Sequence, residues 1–469
     1  MTLPPTSPAP AEAGRTGDED NDDVRDPAYF QYYGKMQHQD TVRTATYQSA
    51  ILQNGPTVFK DKLVLDVGAG SGILSYFAVQ AGAAKVYAVE ASEMAHNIQA
   101  LLRAADPRRA VPHNMWLHNK IEVINAKMES PKIQIPQVDV IISEPIGVLL
   151  VHERMLESFI YARDKFLKPG GAILPSMGTI HLAPFTDPLL YNETMAKVRF
   201  WEQTSFYGVD VTPLYAAALD EYFRMPVVGY FDPRSLVAAP DAAGYPVDFA
   251  TVTMEALQEF SVPFNWTCRY TGLVHGVAGW FDLDFQPPVA LARSAPVTMS
   301  TGPQAARTHW QQVRLLLQEP LAANARQVIQ GTLHCKVNDK RSYDLTAELH
   351  LLPMGTSKVA AATDRLPAGT ITRQATWLLH EQTYNHSTYP NLVDDQGFFP
   401  ELSNLYAPDM TQVGNAASLL PPVYSTNDYV EATGDAAAIE VSLQTPVITS
   451  PDHSQDSQAM AEDTSFSAV

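Results

Sequence analysis

Cysteine is almost absent from this chain, and long apolar runs are missing altogether. The 469 residues include two cysteines, Cys268 and Cys335, which lie far apart and lack metal-ligand spacing. Neither a disulfide framework nor a metal site is indicated, and a reducing compartment is the natural environment. No apolar run reaches the roughly 20 residues that a membrane span requires, and the N-terminus lacks the pattern of a secretory signal. We therefore expect no membrane association.

Positive charge is also scarce. Lysine and arginine total 32 against 51 acidic residues, which gives a net charge of −19, and no lysine or arginine follows Arg373. Such a chain repels phosphate backbones and attracts cationic partners, so the charge predicts basic protein tails as partners and no direct nucleic-acid binding.

The composition divides the chain into four parts. Residues 1–26 are rich in Pro, Ala and Asp and predict a disordered leader. Residues 27–175 alternate short apolar runs with helical spacing, which predicts helices followed by a doubly wound parallel sheet. Residues 176–352 show short alternating runs typical of antiparallel β structure, and residues 353–469 predict a largely disordered acidic interaction tail.

An aromatic stretch of helical spacing, about residues 187–230, interrupts the β-rich part. Aromatic residues are enriched both in cores and in interfaces, so either role fits the pattern.

A glycine-rich turn, DVGAGSG, follows the first predicted strand and opens a helix. Gly68 and Gly70 allow close approach of a nucleotide ligand, and the G-x-G-x-G spacing favours a compact adenosyl group over a dinucleotide. Glu90 ends the next strand, where a carboxylate can accept both ribose hydroxyls, and Glu129 follows the third strand at the same edge. The alternatives are a tight turn with a solvent-facing Glu90 and a surface role for Glu129.

Two glutamates, Glu144 and Glu153, bracket a mostly apolar loop after the strand IISEP. Paired carboxylates suit a guanidinium, whose planar fork donates several hydrogen bonds at once. The alternative is that Glu144 caps a turn and Glu153 pairs with Arg154 on a helix. A distant turn, Thr308-His309-Trp310, is an ordinary buried cluster unless it folds back over the two glutamates.

Taken together, these segments resemble the protein arginine methyltransferase family over about residues 29–352. The resemblance is carried by YFQYYG, VRTATYQ, VLDVGAGSGIL, VEAS, SEP with HERMLES, and THW. The order of HLAPFTD, GVD, DEYFR, PVV, TGLVHG, WFD and SYD is most similar to the coactivator-associated, histone-directed branch of that family.

The resemblance implies an α/β fold: a doubly wound Rossmann-like domain that binds S-adenosylmethionine, then an antiparallel β-barrel with an inserted helical arm at about residues 187–230 that forms a homodimer. It implies catalytic roles for Glu144 and Glu153, which clamp the substrate arginine, and for Asp40 paired with His309. It implies cofactor binding by Tyr33, Arg43, Gly68, Gly70, Glu90, Glu129 and Ser158.

The function implied is a type I arginine N-methyltransferase that forms mono- and asymmetric dimethylarginine in histones and other basic nuclear proteins. Transcriptional coactivators are the implied partners, and the nucleus and cytoplasm the implied location. Two departures from the family pattern support the alternative of a catalytically impaired scaffold. The stretch between Tyr33 and Arg43 is short, and Ile146 and Val148 replace the family's Met and Tyr. A small-molecule methyltransferase fits the glycine turn but leaves the paired glutamates unexplained.

Overall fold

The computed structural model describes residues 40–292, 295–356 and 366–385. The predicted leader, Tyr33 and most of the predicted tail lie outside these ranges. The helices are α1 Thr41–Gln53, α2 Ile73–Gln80, α3 Met94–Ala104, α4 Met155–Phe166, α5 Pro188–Arg199, α6 Tyr215–Phe223 and α7 Met254–Gln258. Within the described ranges, none of the helices has the length and apolar character needed to cross a membrane.

The strands fall into a parallel group and a largely antiparallel group. The parallel group is β1 Leu63–Val67, β2 Lys85–Glu90, β3 Ile121–Asn125, β4 Val138–Ser143 and β5 Leu167–Leu174. The second group is β6 Met177–Phe185, β7 Val227–Gly229, β8 Tyr245–Asp248, β9 Glu259–Thr267, β10 Gly272–Asp284, β11 Thr298–Ser300, β12 Gln312–Ala323, β13 Val328–Val337, β14 Tyr343–Leu351, β15 Ile371–Leu378 and β16 Thr383–Tyr384.

The first domain is built on a five-stranded parallel sheet with the order β3-β2-β1-β4-β5. Its central strands are almost wholly buried, as continuous apolar runs require when helices cover both faces of a sheet. The strand order reverses beside β1, so the carboxyl ends of β1 and β4 flank the crevice in which such sheets bind ligands. The predicted doubly wound fold is confirmed.

One strand of this sheet contains a proline and a glycine pair. Helix α4 ends at Phe166, and residues 167–174, which include Lys168-Pro169-Gly170-Gly171, continue as β5 beside β4. The glycine pair is tolerated because the ladder shifts register between Val138 and Val140, where the strand is irregular.

The second domain consists of two sheets. A seven-stranded sheet has the order β16-β7-β12-β10-β6-β8, with β11 paired to β10, and a four-stranded sheet has the order β15-β14-β13-β9. Alternation of buried and exposed side chains along β9 and β14 matches one apolar and one solvated face. The predicted antiparallel architecture is confirmed in these strands, and the one parallel pair among them joins β16 to β7.

The sequence predicted that the β structure ends near residue 352, but it continues beyond that point. Residues 371–378 form β15, which pairs antiparallel with β14, and Trp377 on this strand is fully buried. The first 33 residues assigned to an acidic tail therefore include an edge strand of the domain. Burial of one large aromatic side chain and a continuous ladder stabilise this strand despite its polar composition.

The aromatic insertion forms an arm of two helices, α5 and α6. Asp187 caps α5 by accepting a hydrogen bond from the Leu190 amide, and its other oxygen binds the buried Arg314 at 2.9 Å. Beyond α5, Phe200 and Phe206 are in edge contact, and Tyr207 is 93% exposed. The base of the arm is thus fixed to the barrel while its tip presents an apolar, aromatic surface.

Candidate active site

The glycine turn and Glu90 form one hydrogen-bonded unit at the carboxyl edge of the parallel sheet. Gly68, Gly70 and Gly72 all have positive φ, a conformation that favours glycine. The Glu90 carboxylate accepts hydrogen bonds from the amides of Gly70 and Ser92, each at 2.7 Å. Each oxygen keeps a further lone pair, so the carboxylate is fixed in place and can still accept hydroxyl donors.

Beneath this turn lie polar atoms that no described protein group satisfies. Asp66 is fully buried, and its Oδ2 accepts a bond from Ser75 while Oδ1 has no partner. The buried hydroxyls of Tyr47 and Tyr76 also have none. Burial raises the pKa of Asp66 to about 7, with the nearby Glu90 carboxylate adding to the effect and the Ser75 hydrogen bonds opposing it. Buried polar groups are normally satisfied, so this cluster indicates a place for a polar ligand.

Helix α1 begins at a carboxylate that also binds a distant turn. Asp40 is the N-cap, and its Oδ1 accepts a bond from the Arg43 amide at 2.8 Å. Its Oδ2 accepts from both the backbone amide and Nδ1 of His309, at 2.8 and 2.7 Å. The side chain of Asp40 is 1% exposed. A single buried carboxylate therefore ties the start of α1 to the Thr308-His309-Trp310 turn.

The protonation states of this pair follow from its surroundings. Burial acts to raise the pKa of Asp40, but the hydrogen bonds from His309 and Arg43 outweigh burial and lower it. Burial also lowers the pKa of His309, which the Asp40 carboxylate opposes only in part. The pair is thus an ionised carboxylate with a neutral imidazole. Because the carboxylate only accepts, Nδ1 of His309 carries the proton and Nε2 is an acceptor.

The Thr308-His309-Trp310 turn does fold back over the loop that carries the two glutamates. The indole nitrogen of Trp310 donates to the carbonyl of Ile146 at 2.9 Å, and both groups are buried. On the other side of the turn, the hydroxyl of Tyr230 donates to the carbonyl of Thr308 at 2.6 Å. The question left open by the sequence is settled: this turn is part of the same site.

The loop between the glutamates is held in an unusual backbone conformation. Leu149, Leu150, Glu153 and Arg154 all have positive φ. Such values are uncommon for residues other than glycine and cluster at functional sites. A Cβ atom on Gly147 would lie 2.1 Å from the carbonyl oxygen of His152, so the tight turn requires glycine at this position.

Glu144 faces Arg43 at the end of β4. Its Oε2 binds Nη1 of Arg43 at 3.0 Å, and its Oε1 accepts the Ile146 amide at 3.3 Å. Burial raises the pKa of Glu144 to about 7, which Arg43 opposes and which the nearby Glu153 carboxylate increases. A cation bound near these two carboxylates would offset the charge that burial makes unfavourable. Arg43, predicted to bind the cofactor, contacts a predicted substrate clamp in this structure.

Glu153 does not pair with the arginine that follows it. Arg154 pairs with Glu157, at 2.7 Å, and not with Glu153, so the alternative of a Glu153–Arg154 pair is wrong. No described residue forms a hydrogen bond or ion pair with the Glu153 carboxylate. Desolvation by the surrounding protein raises the pKa of Glu153, and the charge of Arg341 opposes this shift. Among the described residues, the Glu153 carboxylate is thus left without a short-range cationic partner.

Glu129 and Ser158, both predicted to bind the cofactor, contact each other. The Ser158 hydroxyl donates to Oε1 of Glu129 at 2.6 Å. The structure thus groups Glu90 with Gly70, Glu129 with Ser158, and Asp40 with His309, Arg43 and Glu144. The functional roles of these residues remain predictions, and Tyr33 lies outside the described residues.

Sequence reasoning missed several polar groups at the site. Asp66 precedes the glycine turn, so an acid at the end of the first strand was a usable signal. His152 adjoins Glu153, but a lone histidine carries no sequence signal. Arg307 stacks on the ring of Tyr230, with its guanidinium carbon 4.4 Å from the ring centroid. That pair joins residues far apart in the chain, which spacing alone does not reveal.

The parallel α/β domain with its glycine turn is joined to an antiparallel β domain whose Thr308-His309-Trp310 turn contacts the loop between Glu144 and Glu153, and this is the architecture of the two-domain methyltransferase fold. A family model described as the arginine methyltransferase oligomerization subdomain matches residues 176–352, and one for ribosomal protein L11 methyltransferase matches residues 38–178. Residues 176–352 thus carry a domain of the protein arginine methyltransferase family, preceded by a methyltransferase domain at residues 38–178.

Similar proteins point the same way. The chain is 45% identical over 323 residues to a probable histone-arginine methyltransferase CARM1 of Oryza sativa subsp. indica, and 45% identical over 329 residues to a probable histone-arginine methyltransferase CARMER of Drosophila melanogaster. These matches cover 68% and 69% of this chain. The matched part spans 58% of the length of either relative.

Solved structures share the fold. The Trypanosoma brucei PRMT1 enzyme-prozyme heterotetrameric complex with AdoHcy is similar over 75% of this chain and 99% of that chain, with 27% identity and a TM-score of 0.60. Protein Arginine Methyltransferase 10 of Arabidopsis thaliana is similar over 74% of this chain and 97% of that chain, with 28% identity and a TM-score of 0.62.

Proposed function

We propose that this chain transfers methyl groups from S-adenosylmethionine to arginine side chains of basic proteins such as histone tails, forming mono- and asymmetric dimethylarginine. The observation that carries the proposal is the contact of the Thr308-His309-Trp310 turn, which holds the Asp40–His309 pair, with the loop between Glu144 and Glu153. The two carboxylates at the ends of this loop match a guanidinium, which is cationic and offers a fork of donors.

The glycine turn has the residues that the cofactor needs. Glu90 has lone pairs left for ribose hydroxyls, and the unsatisfied Asp66 and Tyr47 atoms lie beside positive-φ glycines that permit close approach. Arg43 would bind the carboxylate of the cofactor's methionine part, and Glu129 with Ser158 would lie at its adenine side. When bound, the cofactor supplies an electrophilic methyl group on a sulfonium.

The protein's contribution is to orient the guanidinium and to balance charge. Glu144 and Glu153 hold the substrate nitrogen in one orientation relative to the methyl group. This orientation accounts for most of the rate gain. Their negative charge stabilises the cationic group as it is methylated and its proton becomes more acidic. The neutral Nε2 of His309 provides an acceptor for the departing proton.

The first experiment measures methyl transfer from labelled S-adenosylmethionine to a basic histone-tail peptide, with acid hydrolysis to identify the product. Asymmetric dimethylarginine that disappears in Glu153→Gln is the expected result. Transfer that persists in this variant would contradict the clamp. Methylation of a small metabolite without peptide transfer would contradict the substrate class.

Two observations favour a second function, a catalytically impaired scaffold in transcriptional complexes. Arg43 occupies an oxygen of Glu144, and Ile146 and Val148 line the loop where the family has Met and Tyr. Measurable cofactor binding without transfer to any basic peptide is the outcome that would favour the scaffold.

The arm supports a homodimer within the same proposal. Its tip exposes Phe206, Tyr207 and Val209 as an apolar patch beyond the fixed base at Asp187. Exposed apolar patches mark interaction surfaces. Sedimentation analysis is expected to give a dimer that Tyr207→Asp weakens. We further propose a nuclear role, with histones as substrates and transcriptional coactivators as partners, which imaging and co-purification from nuclei can test.

A further inference from the structure

The C-terminal segment, residues 371–385, reaches the loop that carries Glu153. This segment was expected to belong to the tail, yet it runs along the edge of one sheet as β15 and ends beside β7 of the other as β16. Between these strands, Gln382 meets His152, the residue that precedes Glu153.

The segment is firmly anchored on both sides of this contact. The buried indole of Trp377 donates to the carbonyl of Leu316 at 2.9 Å. Glu381 binds Nε of Arg224 at 2.9 Å, and the amide of Thr383 donates to the carbonyl of Pro226 at 2.8 Å. Gln382 therefore lies between two fixed points, so its side chain is presented to His152 by a rigid backbone.

His152 is bound at both ring nitrogens. Its Nδ1 lies 2.8 Å from Oγ of Ser342, and its Nε2 lies 3.2 Å from Nε2 of Gln382. Burial lowers the pKa of His152 to about 4, with His380 contributing, so the ring is neutral. Because the amide nitrogen of Gln382 only donates, Nε2 accepts from it and Nδ1 donates to Ser342. One side of Glu153 is thereby bound to the barrel.

The other side of Glu153 is bound as well. Arg154 donates to the carbonyl of Asn338 at 3.1 Å and forms two hydrogen bonds with Glu157. Asn338 in turn donates to Nδ1 of His380, which belongs to the C-terminal segment. The residues before and after Glu153 are therefore both connected, directly or through one residue, to the same segment.

This double attachment accounts for the backbone of Glu153. Its φ is 70° and that of Arg154 is 56°. A non-glycine residue keeps such a conformation only where its surroundings enforce it. The side-chain contacts of His152 and Arg154 supply that constraint, since Glu153 itself has no side-chain partner among the described residues.

We propose that His152 and Gln382 are positioning residues, through which the C-terminal segment holds Glu153 in its catalytic orientation. The inference rests on the proposed function of Glu153 as a clamp for the substrate guanidinium. Their side-chain hydrogen bonds are to each other and, for His152, to Ser342. Their effect is on the geometry of Glu153, so they act on the reacting complex and leave the cofactor site unchanged.

The test compares Gln382→Ala with Gln374→Ala in the full chain. Gln374 lies on β15 and binds Glu348 on an exposed face, so it is a matched control from the same segment. We expect Gln382→Ala to lower kcat for a histone-tail peptide about tenfold, since small displacements of a positioned group are costly in rate. The Kd for S-adenosylhomocysteine is expected to stay unchanged, and Gln374→Ala to behave as the parent.

A double variant separates positioning from general destabilisation. His152→Ala combined with Gln382→Ala should be no slower than His152→Ala alone, because both changes remove the same connection. Independent, multiplying losses would overturn the proposal, as would a kcat for Gln382→Ala equal to that of Gln374→Ala.

Hydrogen exchange decides the question even if the parent chain transfers no methyl group. Loss of transfer in the parent would contradict the proposed function alone. The amides of residues 148–154 should exchange faster in Gln382→Ala than in the parent or in Gln374→Ala, because the loop loses an attachment. Equal exchange in all three proteins would overturn the positioning role irrespective of activity.

Discussion

Replacing Asp40 with asparagine should destabilise the whole site, because this buried carboxylate joins α1 to the Thr308-His309-Trp310 turn. Asp40 accepts three hydrogen bonds, one from the amide of Arg43 and two from His309. Asparagine keeps one oxygen and places an amide donor where the second oxygen was. That donor would face either the Arg43 amide or the two donors of His309.

The expected loss follows from the bonds that asparagine cannot replace. If its oxygen keeps the Arg43 amide as a helix cap, the backbone amide of His309 loses its partner in a buried setting. The imidazole can change tautomer and accept from the new amide. Hydrogen bonds to charged groups contribute about 1.5–3 kcal/mol each, so we expect Asp40→Asn to lower the free energy of unfolding by about 3 kcal/mol.

Urea unfolding at pH 7.5 measures this loss. The pKa of Asp40 is lowered from 3.8 in the folded protein, so its stabilisation is complete well above that value and is lost as the pH falls through the folded pKa. Asp210→Asn is the matched control, because Asp210 caps an exposed turn at Thr212, and no measurable change is expected there. A loss below about 1 kcal/mol for Asp40→Asn would refute the reasoning.

Three further predictions concern other parts of the site. The pKa of Glu144 is raised to about 7, so this carboxylate is protonated below that pH and kcat/KM for a basic peptide should fall as the pH decreases through 7. A kcat/KM that stays constant from about pH 6 to about pH 8.5 would contradict this. Asp66 also has its pKa raised to about 7, so its ionisation costs stability as pH rises from the unfolded value of 3.8 through 7. Asp66→Asn should therefore raise Tm more at high than at low pH, by scanning calorimetry, while weakening cofactor binding; the same Tm change at both pH values would exclude a buried ionisation. Gly147→Ala would bring a Cβ to 2.1 Å from the His152 carbonyl oxygen, so peptide methylation should fall about a hundredfold while cofactor affinity is retained. Full activity would show that the loop can relax.

Local patterns in the sequence predicted most of the fold. The parallel strands are continuous apolar runs, and the glycine turn with Glu90 is encoded within one strand–turn–helix–strand unit. Strand β15 was missed because half of its residues are exposed and only Trp377 is buried. An edge strand of this kind has little apolar alternation by which it could be recognised.

The site was predicted only where neighbouring residues carry it. The Asp40–His309 contact was expected from family resemblance and not from spacing, since the two residues are 269 positions apart. The contact of Arg43 with Glu144 was not expected, because nothing local indicates which of two anionic groups a buried arginine binds. His152 was likewise overlooked, since its partners Ser342 and Gln382 lie far along the chain.

The long sequence separation between Asp40 and its partner has a consequence for biosynthesis. A ribosome that has released only the α/β domain has made the glycine turn and both glutamates, but not His309. Loop-closing contacts of this range form late, since their entropic cost must be met by structure already in place. A nascent or truncated chain would therefore carry a nucleotide pocket without a closed catalytic centre. Under the proposed function, methyl transfer would therefore appear only after synthesis has passed the Thr308-His309-Trp310 turn.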